Sequence, residues 1–229
     1  MNKIKKLIKY FVISVLVIFI CFTGTLIYRG YEMYNNALIN QSLEDKVDEL
    51  QSSSNYTTLS KIPKTYLNAI IAVEDHRFEK HSGIDLIGIT RAIWQNINSL
   101  SLKEGGSTIT QQLAKNMYFS NEKSVLRKIA EIFMAFKLEN TYTKDEILEL
   151  YANCIYFGDG YYCIKDASNG YFNKEPWQLN DDECTLLAGI PNAPSIYAPT
   201  KNPKLAKQRQ EHVIKQMKKY GYEYNLENK

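Results

Sequence analysis

Cysteine is too scarce in this chain to supply a disulfide framework. Only four cysteines occur in 229 residues, and one of them, Cys21, lies in a long apolar run. We expect the other three, Cys154, Cys163 and Cys184, to be small buried hydrophobic residues. An oxidising compartment would allow two of them to pair, and the sequence does not fix which two. A fold held together mainly by disulfides is therefore excluded.

Histidine is equally scarce, and the charges of opposite sign nearly balance. The three histidines, His76, His81 and His212, show no metal-ligand spacing, and we expect His81 to be a structural hydrogen-bonding residue. The formal net charge is +3, from 28 Lys and Arg against 25 Asp and Glu. So small an excess decides little, and the placement of the charges matters more. We expect no nucleic-acid partner and no organic cofactor.

Long apolar runs are missing except for one at the N-terminal end. It extends from Tyr10 to Tyr28 and contains no charged residue. As a helix, this run is long enough to cross a hydrocarbon core of about 30 Å. Several lysines precede it, so the positive-inside rule predicts a short cytoplasmic N-terminus and places the bulk of the chain on the outer side of the membrane. The run is long for a cleaved signal peptide and lacks an A-x-A-like site, so we favour an uncleaved anchor.

The chain after this run divides by composition. A polar segment with the cluster QSSSN at 51–55 shows no sustained apolar period, which predicts a stem that lifts a domain off the membrane. From Lys61 onward, helical patterns dominate. The predicted organisation is a cytoplasmic N-terminus (1–9), a transmembrane helix (10–28), a stem (29–60), one domain (61–220) and a tail (221–229).

Helix signals follow one another through the predicted domain. Pro63 begins a helix that places Glu74 near its C-terminal end, and Asp85 begins another. Thr143 starts a capping box, and Asn202 precedes the last helix. Alternation with the period of a strand is scarce, so the sequence predicts a mainly α fold.

A further helix is predicted to begin at Ser124. Its apolar residues make one stripe, formed by Val125, Ile129, Ile132, Phe133 and Phe136. Arg127 and Glu131 fall on the opposite face.

Two carboxylates, Glu74 and Glu131, bracket the most informative part of the chain. Glu74 ends an apolar helix and precedes Phe78, so its carboxylate is partly removed from water, which suits a general base. The plainer interpretation is a surface Glu at a helix end. Glu131 follows Arg127 by four residues, and such a helical pair contributes only about 0.2–0.5 kcal/mol to stability. Stability alone gives this pair little reason to exist.

Polar and cationic residues fill the interval between these acids. Gly105 and Gly106 precede Ser107 and Thr108 at a predicted helix start, where unpaired N–H groups favour anions, although a plain capped helix has the same pattern. The amides and cations that follow are Gln111, Gln112, Lys115, Lys123, Arg127 and Lys128. Because a pyrophosphate is best neutralised by several cations at once, this cluster indicates a phosphorylated ligand.

Five blocks in order resemble the peptidoglycan glycosyltransferases, the lysozyme-like domain of class A penicillin-binding proteins and monofunctional transglycosylases. They are EDHRF (74–78) with His81 and Gly83, GGSTITQQLAKN (105–116), RKIAE (127–131), KDEILELYAN (144–153), and Arg209 with Val213 and Ile214. The resemblance extends from about Ile62 to Met217. It implies a lysozyme-like fold.

The resemblance also implies roles for individual residues. Glu74 corresponds to the family's catalytic base, and Glu131 to its second essential acid, next to the pyrophosphate. It implies a divalent cation, Mg²⁺ or Mn²⁺, at Glu131, although one carboxylate is too little to predict a dedicated metal site. The resemblance adds two substrate-binding residues, Arg91 and Arg209. The predicted substrate-binding residues are then Arg91, Ser107, Thr108, Gln111, Gln112, Lys115, Lys123, Arg127, Lys128 and Arg209. Lys144, Tyr151 and Asn153 are predicted to be scaffold.

More apolar residues lie between these blocks than a small core can bury. They occupy two stretches, from Trp94 to Leu102 and from Met117 to Leu126. This surplus resembles the family's membrane-dipping lobe, which lets a lipid-linked substrate enter from the bilayer. The C-terminal lysines, including Lys219, predict a solvated face near anionic lipid and not a binding site.

Together with the predicted anchor, the resemblance implies an enzyme of the bacterial cell membrane that polymerises lipid II into glycan strands by processive β-1,4 transfer, with inversion at an α-linked sugar pyrophosphate. Its expected partners are lipid II, the growing strand, the cell membrane, transpeptidases and other cell-wall synthesis proteins. The chain offers no segment for a transpeptidase, so a monofunctional enzyme is expected. One alternative is a lytic glycosidase, which has no use for the cation cluster. Another is a catalytically silent cell-wall scaffold, which has no use for the two acids.

Overall fold

The computed structural model describes residues 2–98, 105–120 and 124–224. Within these ranges the chain forms helices and no strand, which confirms the predicted mainly α fold. The α-helices are α1 (Asn2–Asn40), α2 (Leu43–Gln51), α3 (Lys64–Glu74), α4 (Leu86–Asn98), α5 (Ile109–Tyr118), α6 (Val125–Thr141), α7 (Lys144–Cys154), α8 (Ile164–Phe172), α9 (Asp181–Gly189), α10 (Pro194–Tyr197) and α11 (Pro203–Lys219).

The first helix is longer than the predicted membrane span. Its segment from Lys3 to Asn40 is long and apolar enough to cross a membrane, by length and composition. At 1.5 Å per residue, the 39 residues of α1 extend about 58 Å, roughly twice the thickness of a hydrocarbon core. Its C-terminal part can therefore contact the rest of the protein.

That C-terminal part of α1 packs along α6. Gly30 is buried in the contact, and a Cβ atom built on it would lie only 2.4 Å from Cγ2 of Ile129. The Phe133 ring lies 5.4 Å from the Tyr31 ring and 5.9 Å from the Tyr34 ring, centroid to centroid. Such a close approach of two helices requires glycine, because a larger residue would meet the body of Ile129.

The segment 29–60 differs from the predicted stem. Besides the end of α1 it contains α2, whose Leu43 and Val47 are buried in the core. Farther along, the Thr57 amide donates to Oδ1 of Asn153 over 2.7 Å, and the Asn153 side chain donates to the Thr57 carbonyl over 2.8 Å. The folded unit therefore begins within α1, upstream of the predicted boundary.

Two groups of helices form the core of the domain. The helices α3, α9 and α11 pack against one another, and α5 packs against α6 and α7. The largest fully buried side chains include Tyr66 of α3, Tyr151 of α7, Phe78 and Phe157. This packing fixes the C-terminal end of α3 and the N-terminal end of α5 relative to each other.

Helix starts follow the predicted capping signals. Thr143 accepts the Glu146 amide and the Glu146 side chain accepts the Thr143 amide, which completes the capping box of α7. Ser124 caps α6 with its side chain, and Asn202 stands immediately before α11. The side-chain caps satisfy backbone N–H groups that a helix leaves unpaired at its first turn.

The apolar stripe predicted for α6 is not the face that enters the core. Val125 and Phe136 are exposed, whereas Ala130 and Glu131 are buried. The reason is that α6 is covered on two sides. It contacts α1 through residues such as Ile129 and packs against α5 as well. A helix enclosed in this way has no single solvent face on which a charged residue must lie.

α4 carries an extensive exposed apolar surface. Of its residues, only Gly88 and Ala92 are buried. Its exposed large apolar residues are Leu86, Ile87, Ile93, Trp94 and Ile97. The rest of this predicted apolar stretch, 99–102, lies outside the described residues. In the second stretch, Met117 is buried and Val125 is exposed, so only part of it belongs to the surplus.

All four cysteines are free thiols. Cys163 and Cys184 are buried as predicted, and Cys154 is partly buried. Burial raises the pKa of Cys154 and of Cys184 to about 12. The Cys163 sulfur accepts a hydrogen bond from the Asp166 amide and caps α8.

Candidate active site

A cavity of about 650 Å³ is bordered by the end of α3, the starts of α5 and α6, and one side of α11. Its wall contains both predicted catalytic acids, Glu74 and Glu131. The other predicted site residues that line it are Arg91, Ser107, Gln111, Gln112, Lys115, Arg127, Lys128 and Arg209. The helices thus bring together residues that are far apart in sequence.

Glu74 is held by partners from two other helices. It is the last residue of α3, and its side chain is 7% exposed. Nε2 of Gln112 donates to Oε2 of Glu74 over 2.8 Å, and Nη2 of Arg209 donates to Oε1 over 3.2 Å. The Tyr151 hydroxyl donates to Oε1 of Gln112 over 3.2 Å. Both carboxylate oxygens are therefore oriented, by polar groups and not by the apolar packing expected from sequence.

Arg209 reaches Glu74 because α11 lies close to the end of α9. Nε of Arg209 donates to the Gly189 carbonyl over 3.3 Å, and the guanidinium lies 5.7 Å from the centroid of the Tyr197 ring. A Cβ atom on Gly189 would come within 2.9 Å of Cγ of Arg209. Gly189 therefore leaves room for the Arg209 side chain.

Glu131 lies between two cations and is almost inaccessible, with a side chain only 3% exposed. Nε of Arg127 lies 2.9 Å from Oε1, and Nζ of Lys128 lies 3.0 Å from Oε2. Lys128 also donates to the Ser107 hydroxyl over 2.7 Å. The predicted Arg127–Glu131 pair is confirmed, but it is buried. Because a buried carboxylate requires such partners, Glu131 anchors both cations in the cavity wall.

Lys115 is a third cation in the same wall. Within the described part of the chain, no hydrogen bond or ion pair holds its ammonium group. Burial, followed by the nearby charge of Arg127, lowers the pKa of Lys115, while Glu131 opposes the shift. The lowered pKa indicates positive charge that is incompletely compensated, and a bound anion would compensate it.

Positive charge predominates among the described residues of the cavity wall. Within that set, six Lys or Arg side chains line the cavity against two carboxylates, a formal excess of 6 − 2 = +4. The cations are Arg91, Lys115, Arg127, Lys128, Arg209 and Lys219. A ligand with several negative charges is the kind that such a wall recognises.

Thr108 serves the fold and does not line the cavity. As the N-cap of α5, its hydroxyl accepts the Gln111 amide over 3.1 Å and donates to the Gly83 carbonyl over 2.7 Å. The plain capped-helix interpretation is therefore correct for Thr108, while Ser107 and Gln111 reach the cavity. The last predicted site residue, Lys123, lies outside the described residues.

His81 has the structural role predicted for it. Its Nε2 lies 3.0 Å from both carboxylate oxygens of Asp75, and Oδ2 of Asp75 also accepts the Ile109 amide over 3.1 Å. Nζ of Lys144 donates to the His81 carbonyl over 2.7 Å, which confirms a scaffold role for that lysine. This network ties the residue after Glu74 to the first turn of α5.

The cavity wall also contains residues that were not among the predicted site residues. They are His76, His212, Gln216, Lys219 and Tyr220. Lys219, for which the sequence predicts a solvated face, is exposed and also lines the cavity. The one available signal was helical spacing, because positions 212, 216 and 219 share a face of α11 with Arg209.

The site does not offer a ligand set for Mg²⁺ or Mn²⁺. Among the described residues, no group of three or more His, Cys, Asp or Glu side chains converges. Both oxygens of Glu131, the implied ligand, already face Arg127 and Lys128. These ions require several oxygen ligands in octahedral geometry, so the residues present do not fit one.

Known proteins are similar to this chain over most of its length. The transglycosylase family matches residues 41–218. A putative transglycosylase from Cupriavidus necator is 43% identical over 177 residues, which cover 77% of this chain and 76% of the relative. Penicillin-binding protein 1F of Bacillus subtilis is 41% identical over 96% of this chain and 32% of its own length. Penicillin-binding protein 1A of Aquifex aeolicus is 45% identical over 73% of this chain and 23% of its own length.

The chain therefore spans about a third or less of these two penicillin-binding proteins but most of the putative transglycosylase. The family match begins at residue 41, which agrees with the packing of α2 in the core. It ends at residue 218, in the last turn of α11, and so contains both acids and nearly the whole cation-lined cavity. The chain belongs to the transglycosylase family, the peptidoglycan glycosyltransferases with a lysozyme-like domain.

Proposed function

We propose that this chain polymerises lipid II into glycan strands, using Glu74 as the base and the opposing cations to bind pyrophosphate. The observation that carries the proposal is the arrangement around Glu131. This buried carboxylate fixes Arg127 and Lys128 beside Lys115, whose charge has no acceptor within the described residues. Polyprenyl pyrophosphate, the leaving group of lipid II, is the anion that would occupy this position.

In the proposed reaction, the 4-hydroxyl oxygen of the acceptor sugar attacks the anomeric carbon of the donor. Glu74 accepts the hydroxyl proton as the new C–O bond forms. Gln112 and Arg209 orient its two oxygens, so that the carboxylate is preorganised for this transfer. Attack opposite the pyrophosphate inverts the α-linked anomeric carbon to a β-1,4 linkage.

The bond that breaks joins the anomeric carbon to the pyrophosphate oxygen, and the electron pair leaves with that oxygen. Developing negative charge there is stabilised by Arg127, Lys128 and Lys115. Donors fixed in advance are effective because they need not reorganise as charge develops. Glu131 contributes by holding two of these cations in place, and the proposed mechanism routes no step through a metal ion.

The membrane supplies the substrate in this proposal. Lipid II is amphipathic, with its pyrophosphate at the level of the headgroups. α1 would cross the bilayer with its N-terminus in the cytoplasm, because lysines precede the apolar run. The exposed apolar face of α4 would rest in the outer leaflet beside the cavity. Transpeptidases that cross-link the product are the expected protein partners.

The test is an assay of the full chain in detergent micelles with purified lipid II. We expect a glycan polymer and one polyprenyl pyrophosphate released for each linkage formed. A second reaction receives finished glycan strands without lipid. Cleavage of those strands, with no polymer from lipid II, would show a lytic glycosidase instead. If neither product formed, the catalytically silent cell-wall scaffold would be the remaining interpretation.

A further inference from the structure

His76, two residues after Glu74, is held from two directions. Its Nε2 lies 2.8 Å from Nη1 of Arg91 on α4. Its ring stacks on Tyr220, just beyond α11, with centroids 4.1 Å apart and planes inclined by 13°. Three separate segments that line the cavity therefore meet at this imidazole.

The contact with Arg91 determines the protonation state of His76. A guanidinium has only donors, so Nε2 must accept the hydrogen bond, and the ring proton of the neutral imidazole is then on Nδ1. The charged groups that face the ring are Arg91, Asp75, Asp85 and Lys219. Burial, then the charge of Arg91, lowers the pKa of His76, and the two aspartates oppose the shift.

Arg91 lies on a helix that packs lightly against the rest of the protein. The helix that carries it buries only Gly88 and Ala92. By contrast, the His76 ring is fixed by its stack on Tyr220 and by its place next to Asp75, which is tied to His81 and α5. A hydrogen bond between a fixed ring and a side chain on a lightly packed helix positions the side chain.

We propose that His76 is a positioning residue whose neutral imidazole holds the Arg91 guanidinium at the cavity, where it binds the phosphorylated substrate. Protonation of His76 removes the acceptor and places two cations side by side, so Arg91 moves away and substrate affinity falls. The proposal deepens the proposed function and rests on it for the identity of the substrate.

Two substitutions distinguish the effect of the hydrogen-bond acceptor on His76 from the effect of its aromatic ring. His76→Phe keeps the stack on Tyr220 but cannot accept a hydrogen bond. His76→Gln keeps an acceptor near the position of Nε2 but does not titrate. At about pH 7.5, we expect His76→Phe to raise KM for lipid II roughly tenfold while kcat stays within about twofold, because a hydrogen bond to a charged group is lost. His76→Gln should recover most of that loss.

The pH profile adds a readout that a merely structural role would not change. As pH falls from about 7.5 to 5.5, KM of the wild type should rise as His76 takes up a proton. KM of His76→Gln should stay flat over the same interval. An equal rise in both proteins would assign the pH effect to another group and overturn the proposal.

A double substitution tests whether His76 acts through Arg91. In an Arg91→Ala background, His76→Phe should have no further effect on KM, because the side chain that His76 positions is already absent. The same tenfold loss in both backgrounds would show that His76 supports the fold or binds substrate directly. Thermal unfolding of each variant identifies any that fails to fold.

A last measurement does not depend on enzymatic activity. The chain has three histidines, so a histidine-labelled full chain in detergent micelles gives few imidazole resonances, which His→Gln variants assign. We expect His76 to titrate below its ordinary value of 6.5 and the Arg91→Ala variant to raise that pKa. Titration at or above 6.5, unaffected by Arg91→Ala, would overturn the inference. Failure of the wild type to polymerise lipid II would overturn only the proposed function.

Discussion

Oε2 of Glu74 accepts a hydrogen bond from Nε2 of Gln112 at 2.8 Å, although the two residues belong to different helices and are 38 positions apart. The Tyr151 hydroxyl of α7 donates a hydrogen bond to the Gln112 amide oxygen, and Arg209 of α11 donates one to Oε1 of Glu74. Four helices thus determine the orientation of the Glu74 carboxylate, the proposed base. Loss of any of these contacts is expected to misplace the base without removing it, and small misplacements reduce catalytic rates strongly.

The first prediction concerns recognition of pyrophosphate. Lys128→Ala should weaken binding of a pyrophosphate-bearing donor analogue roughly tenfold or more, because a charge-assisted hydrogen bond is worth about 1.5–3 kcal/mol. Binding of undecorated glycan strands should hardly change. Arg127→Ala should act in the same direction. Both substitutions should also lower stability, because each leaves buried Glu131 with one cation fewer. Titration calorimetry with each ligand measures the effect.

Lys137→Ala is the matched control for that experiment. Lys137 lies on the same helix, α6, and does not line the cavity. Lys137→Ala should leave the affinities for the pyrophosphate-bearing donor analogue and for glycan strands unchanged. Equal losses for pyrophosphate and glycan in Lys128→Ala would mean that the cations form a glycan-binding groove.

The second prediction concerns the contact between α1 and α6. Gly30→Ala places a Cβ atom 2.4 Å from Cγ2 and 2.6 Å from Cβ of Ile129, so the helices must separate. Overpacking of this kind costs about 1–3 kcal/mol, which lowers the thermal midpoint of a chain of this size by roughly 2–12 °C. Thermal unfolding in detergent micelles measures the shift.

Gly24→Ala provides the control, because a Cβ atom at Gly24 meets nothing within 4 Å. Alanine favours a helix over glycine, so this variant should be unchanged or slightly more stable. If Gly30→Ala behaved in the same way, the packing of α1 on α6 would not be part of the folded protein in solution.

The third prediction concerns α4 and the membrane. The chain has two tryptophans, Trp94 on α4 and Trp177, which are 66% and 52% exposed. In liposomes that contain brominated lipid, Trp177→Phe reports on Trp94 and Trp94→Phe reports on Trp177. We expect quenching of Trp94 to be at least about twofold stronger, because only Trp94 belongs to a broad apolar surface of the kind that enters the interface. Equal quenching would place α4 away from the bilayer.

The fourth prediction concerns metal ions. Both oxygens of Glu131 are occupied by side-chain cations, so the proposed mechanism requires no divalent ion. Excess chelator should change the initial rate of lipid II polymerisation by less than about twofold, since the ligand set does not suit Mg²⁺. Loss of activity on chelation, with recovery on adding Mg²⁺ or Mn²⁺, would require a metal ion in the mechanism.

Local signals in the sequence were sufficient for much of the fold. Ser124 and Thr143 mark helix starts because a side-chain cap acts within one helical turn. Asn202 precedes Pro203, the first residue of α11, and marks the start of that helix without a side-chain cap. The position of Glu74 at the end of α3 followed from the same kind of pattern. Composition, in contrast, was misleading for residues 29–60, where polar residues suggested a stem.

The apolar period in that segment is present in the sequence but short. Buried and partly buried residues of α1 follow at helical spacing: Gly30, Met33, Tyr34, Ala37 and Leu38. Glycine and alanine contribute little to a hydrophobic pattern, although they are the residues that allow helices to approach closely. The packing surface of α1 is therefore evident only from its contact with α6.

Some contacts in the cavity wall could not be predicted from the sequence. Motifs identified the cations of α5 and α6 because these lie close together in the chain. His76 and Tyr220 are far apart in sequence, and their ring stack results from the packing of α11 on α3. The burial of Glu131 likewise depends on tertiary contacts of α6, which no pattern within that helix predicts.

The most direct test of the account is the initial rate of lipid II polymerisation by Glu74→Gln at saturating substrate. The substitution keeps the size of the side chain and most of its hydrogen bonding but removes the proton acceptor. A positioned general base contributes roughly 10²–10⁴-fold, so we predict a rate at least about a hundredfold below that of the wild type. Glu211→Gln, an exposed position on α11, should retain the full rate. A Glu74→Gln enzyme that kept more than about a tenth of the wild-type rate would contradict the assignment of Glu74 as the base.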